Sequence, residues 1–191
     1  MRIRYQFAPD AAVQSASYLL SKLGGNADKI KLMKLMYLAD RDHFLAFGRP
    51  ITGDSQWALP HGPVPSCTLN LLNGNDGDEA DYVSRHIEVD SHKFVLRADP
   101  GSESLDANCR ATLDRTLARY GRMHTTALRD LTHKLPEYIE CEVPGSSSPI
   151  PYEVILKHHG GEEGFAMGRP VISPMMRNHL ACPFSESEPD I

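Results

Sequence analysis

The run Lys31-Leu32-Met33-Lys34-Leu35-Met36-Tyr37-Leu38-Ala39-Asp40 constrains this chain more than any other segment. At about 100° per residue it is a helix that is apolar over most of its circumference. Ile30, Met33, Met36, Tyr37, Phe44 and Phe47 share one side, and Leu32, Leu35 and Ala39 widen it. A helix with so wide an apolar arc belongs at the centre of a fold. Asn26 or Asp28 starts it, and Gly48 and Pro50 stop it after Phe47. Leu38 and Leu45 fall on the polar side, among Lys31, Lys34, Arg41 and Asp42. Either another element covers these two leucines, or they belong to a patch that meets a partner. On the second reading, replacing both by serine weakens partner binding and leaves the melting temperature nearly unchanged.

The flanking segments supply the rest of a small α+β domain, mainly helical, with a small antiparallel sheet. Ala12, Val13, Ala16, Leu19, Leu20 and Leu23 give helical spacing from Asp10 to Leu23, ended by Gly24-Gly25. Ile51–Leu59 reads as extended, anchored by Trp57. Pro60, Pro63 and Pro65 exclude a helix through His61-Gly62-Pro63-Val64-Pro65, which reads as a rigid turn. A short helix follows over Ser66–Leu72, then a polar Gly/Asn/Asp loop to Asp81. Tyr82–Val89 and His92–Arg97 alternate like two strands of a hairpin turning at Asp90-Ser91. An amphipathic helix is expected over Ser102–Tyr120, with Leu105, Cys109, Leu113, Thr116, Leu117 and Tyr120 inward and an arginine stripe of Arg115, Arg119 and Arg122 outward. Thr125 or Thr126 caps a helix through Leu135, Val143–Pro151 is a loop, Tyr152–His159 is a further helix, and Ser173–Leu180 a last helical turn. The domain is expected to occupy residues 1–181, with 182–191 an acidic tail.

Composition narrows the function classes. The net charge is −5 and the chain is 41% hydrophobic. Such a balance argues against nucleic acid as the main partner. Charge is uneven: residues 1–50 carry eight Lys/Arg against four Asp/Glu, and residues 51–100 three against eight. Cys67, Cys109, Cys141 and Cys182 are far apart, without a Cys-x-x-Cys pair. No structural zinc knuckle or disulfide framework is expected, and Cys109 reads as a small core residue. No apolar run approaches the roughly 18 residues of a membrane span. The expectation is a cytoplasmic protein without membrane contact.

Few residues carry recognisable chemistry. Asp40 and His43 lie three apart on the second helix, and His158, His159, Glu162 and Glu163 cluster around Gly160-Gly161. Imidazole and carboxylate suit a divalent metal, so Asp40, His43, His158 and His159 define an alternative, a metal-dependent hydrolase. A hydrogen-bonded pair and a polar surface turn explain the same residues without a metal. Nucleophile-elbow, Walker and dinucleotide fingerprints do not occur. No catalytic residue, cofactor or metal is assigned from the sequence.

Taken in order, Lys31–Tyr37, Gly48-Arg49-Pro50, Trp57, Gly62-Pro63-Val64 and the element Leu128, Leu131, Thr132, His133 resemble the SocA-like antitoxin family, the Panacea domain. The resemblance spans Ala11 to Tyr138. It departs at Glu137-Tyr138, where the family often carries tryptophan, and in a longer hairpin over Tyr82–Arg97. It implies a bacterial or phage protein of a type II toxin-antitoxin system. Such a protein binds a cognate toxin directly, or acts as an adaptor to a Clp-type protease; self-association is compatible with either. Trp57, Gly62, Pro63, Val64, Thr132 and His133 would then hold the scaffold. Lys34, Leu38, Arg41 and Leu45, or Arg115, Arg119 and Arg122, would meet the partner.

Overall fold

The computed structural model describes residues 3–75 and 79–159. Helix α1 (Pro9–Lys22) leads through Gly24 and Gly25 into a three-residue strand, β1 (Asn26–Asp28). Helix α2 (Lys29–Phe47) follows and ends at Gly48, whose left-handed φ of 71° lets its N–H reach Phe44 O. Strands β2 (Gln56–Leu59) and β3 (Gly62–Pro65) form a hairpin, and α3 (Ser66–Leu72) leaves it directly. After α4 (Ala80–His86) come the paired strands β4 (Ile87–Asp90) and β5 (Lys93–Leu96). Helices α5 (Ala107–Tyr120), α6 (Thr125–Thr132) and α7 (Pro136–Cys141) precede β6 (Ser148–Pro149) and α8 (Tyr152–His159).

This is a mainly helical α+β fold, but among the described residues the strands make two antiparallel sheets, ordered β1-β5-β4 and β3-β2-β6. In the second sheet Trp57 pairs with Val64 and Ala58 with Pro63. β3 carries two prolines because it is an edge strand, where a missing N–H costs no ladder hydrogen bond.

Three local expectations are corrected. Tyr82–Val89 is not one strand, because α4 runs through His86. Val83 and Ile87 are both buried and stand four apart, a spacing that serves a helix as well as alternation. The hairpin turns at Ser91-His92, with Ser91 at φ 54°. The long helix begins at Ala107 rather than Ser102, because Asp106 is its N-cap and accepts from Cys109 N at 2.8 Å. That bond, with the Arg49 charge, holds the Asp106 carboxyl down to about 2. The expected helical turn at Ser173–Leu180, the tail 182–191, Cys182, Glu162 and Glu163 lie outside the described residues.

α2 sits in the middle, packed by α1, α5, α6, β3 and α8. Two buried carboxylates fix the chain that leaves it. Asp40, on α2, accepts from Ile51 N (2.9 Å), Thr52 N (3.0 Å), the Thr52 hydroxyl and Gln56 Nε2 (3.3 Å). Burial pushes its carboxyl up to about 7 in spite of those donors. Asp54 accepts from Cys67 N (2.8 Å), Thr68 N (2.7 Å) and Thr68 Oγ1 (2.6 Å). It thereby caps α3, whose own N-cap residue, Pro65, offers no side-chain acceptor.

Candidate functional site

The wide apolar arc of α2 leaves little room for a partner face. Lys34 is 1% exposed and Leu38 is fully buried. α6 and β3 cover the side of α2 that the sequence reads as polar. Lys34 Nζ donates to Pro63 O at 2.8 Å. Burial, aided by the Arg129 charge, drives its amine well below the ordinary range. The expectation that Lys34 and Leu38 meet a partner is therefore corrected: both lie inside. Leu45 is half-buried and packs against the core, while Arg41 keeps a side-chain exposure of 10%.

Lys34 reaches the point where the separated sequence motifs meet. Gly62 has φ +97°, and a Cβ there would stand 2.8 Å from His133 Cδ2 and 3.0 Å from Lys34 Nζ. The turn closes against both side chains only because it lacks one. His133 follows α6 and stacks on Tyr138, with ring centroids 4.8 Å apart at 29°. Tyr138 donates its hydroxyl to Leu59 O at 2.9 Å, tying α7 back to β2. Thr132 is fully buried and donates to Arg129 O at 2.8 Å. Val64 is buried in β3, and Trp57 stands half-buried opposite it. Gly62→Ala is expected to cost about 2–3 kcal/mol, from the left-handed φ and the displaced His133. Denaturant unfolding reads that loss.

A second junction lies behind the first. Glu137 is fully buried. It accepts from Arg41 Nε (2.6 Å) and Tyr37 OH (3.1 Å), and His159 Nε2 lies 2.6 Å from its other oxygen. Burial pushes this carboxyl up, but the Arg41 charge and the His159 hydrogen bond outweigh it and hold it below the usual range. His158 pairs instead with Glu140 at 2.6 Å. His43 contacts Arg49 O and Cys109, and Asp40 is occupied at the start of the extended segment. Asp40, His43, His158 and His159 thus do not converge, which removes the geometry of the hydrolase alternative. Among the described residues one His/Cys/Asp/Glu group has its ligand atoms within 4.8 Å of one another, and it is a different one: His43, Asp106 and Cys109.

The sequence of the antitoxin SocA-like family, Panacea domain, matches residues 32–138. The chain belongs to this family. The match begins on α2 and ends on Tyr138, so it takes in the whole Lys34–Gly62–His133–Tyr138 junction. No curated protein and no solved structure matches the chain.

Outside the junction, the Panacea domain presents a cationic seam between α2 and α5. Arg115, Arg119 and Arg122 are exposed. Among the described residues none of the three has a carboxylate partner within salt-bridge distance. Asp114 and Asp130, their nearest acidic neighbours in sequence, accept instead from Tyr18 and Arg129. Arg119 lies 5.1 Å over the Tyr120 ring. The Tyr120 hydroxyl also feels Asp42 and Arg41 of α2, and His43 feels Arg49 and Arg115. The arginine stripe and the C-terminal half of α2 are therefore neighbours. Phe47 ends that half 41% exposed. No helix among the described residues is long and apolar enough to cross a membrane.

Proposed function

We propose that this chain is the antitoxin of a type II toxin-antitoxin pair and neutralises its cognate toxin by direct protein contact. The observation that carries the reading is the family match over residues 32–138. The surface we assign to the toxin is the α2–α5 seam: Arg115, Arg119 and Arg122 as cations, Phe47 as its apolar part. Exposed arginines with no carboxylate partner among the described residues suit an acidic protein surface: Arg115 donates only to the Thr112 hydroxyl and Arg119 stacks on Tyr120, so each guanidinium can still take a carboxylate on docking. Both junctions anchor α2, and α5 packs along it, so docking costs little ordering entropy.

The double substitution Arg115→Glu/Arg119→Glu tests this surface. It is expected to weaken toxin binding at least 10-fold, since each reversed contact is worth about 1 kcal/mol or more. Both side chains are exposed. The melting temperature is therefore expected to move by no more than a few degrees. Unchanged binding, measured by calorimetry, would remove the seam from the interface.

A further inference from the structure

We propose that His43, Asp106 and Cys109 form a binding site for a zinc-class divalent cation. The three come from two elements and the cap between them: His43 from α2, Asp106 as the N-cap of α5, Cys109 three residues on. His43 is fully buried and Cys109 is 2% exposed, whereas the Asp106 side chain is half exposed. The site is a buried N/S pair with an oxygen at its mouth.

Three features fit a metal. His43 Nδ1 lies 2.7 Å from Arg49 O. A carbonyl only accepts, so the proton sits on Nδ1 and the Nε2 lone pair points at the cluster, the tautomer a metal-binding histidine adopts. His43 Nε2 and Cys109 Sγ are 3.6 Å apart. Zn–S and Zn–N bonds at tetrahedral angles place their donors about 3.5 Å apart. Ligand atoms of all three residues lie within 4.8 Å of one another. Imidazole, thiolate and carboxylate together select zinc or a similar ion over magnesium or calcium.

Binding replaces the Cys109 S–H bond with a sulfur–metal bond and releases one proton to solvent. Arg49 pairs with Asp106 and must release one oxygen. Both partners are half exposed, so that pair is weak and the guanidinium can turn outward. Asp106 Oδ1 can keep its bond to Cys109 N while the other oxygen faces the ion. Three protein donors leave a fourth tetrahedral position for water.

The experiment adds one equivalent of Zn²⁺ or Co²⁺ to the purified full chain. Wild type is expected to retain about one ion per chain through gel filtration, and the cobalt form to show a thiolate-to-metal charge-transfer band. Cys109→Ala removes only one buried atom, the sulfur, and is expected to fold, to lose the band and to bind zinc at least 10-fold more weakly. Arg49→Ala removes the competing cation and is expected to bind more tightly. No retained ion, a band that survives Cys109→Ala, or weaker binding by Arg49→Ala would each overturn the site.

Discussion

Leu38→Ser is expected to lower the unfolding free energy by about 3–5 kcal/mol. The leucine is fully buried in the core. The change forfeits its transfer energy, leaves a cavity and places a hydroxyl where nothing apolar can bond it. For a chain of this size the melting temperature falls by roughly 10 °C. This is the reverse of what a solvent-facing leucine would show. Leu45→Ser, at a half-buried position, is expected to lose much less. Thermal melts of the two single variants separate them; a near-wild-type melt for Leu38→Ser would mean that α2 is not enclosed.

Glu137→Ala is expected to cost about 3–5 kcal/mol as well, for an electrostatic reason. Glu137 is fully buried and Arg41 nearly so. Removing the carboxylate leaves Arg41 Nε and the Tyr37 hydroxyl without their acceptor, and only the part-exposed Asp42 carboxylate still faces the guanidinium. The sign of its pH dependence follows from the carboxyl being held below its ordinary value in the folded state. Its contribution is present in full above an unfolded value of about 4.3 and is lost as pH falls through the lower folded value. Wild type and Glu137→Ala are therefore expected to differ most at neutral pH and to converge in acid. Parallel loss at every pH would show that packing, not charge, is what Glu137 supplies.

These two positions also show what the sequence could and could not disclose. Apolar spacing and Gly/Pro punctuation placed α1, α2, α3 and α8 closely, because each signal is local. The helical wheel found the polar side of α2 but not its neighbours. Lys34 and Leu38 lie inside because β3 and α6, distant in sequence, pack on α2, and Lys34 donates to Pro63 O. The helix expected through Leu135 ends at Thr132, and Pro136 is the first residue of α7, where a missing N–H costs nothing. Glu137 looked like a departure from a family pattern, and its role depends on Arg41, 96 positions earlier. His43 and Cys109 stand 66 positions apart, so no spacing rule joins them. The arginine stripe is visible as a helical face, but not its place beside the C-terminal half of α2, which depends on how α2 and α5 pack.

We propose that this Panacea domain protects a cell by gripping a toxin through the α2–α5 seam. The most direct measurement is growth of bacteria expressing the toxic product of the adjacent reading frame, together with wild-type chain or Arg115→Glu/Arg119→Glu at equal folded level. The account predicts that wild type restores growth and the double variant does not. Equal rescue by both would contradict it.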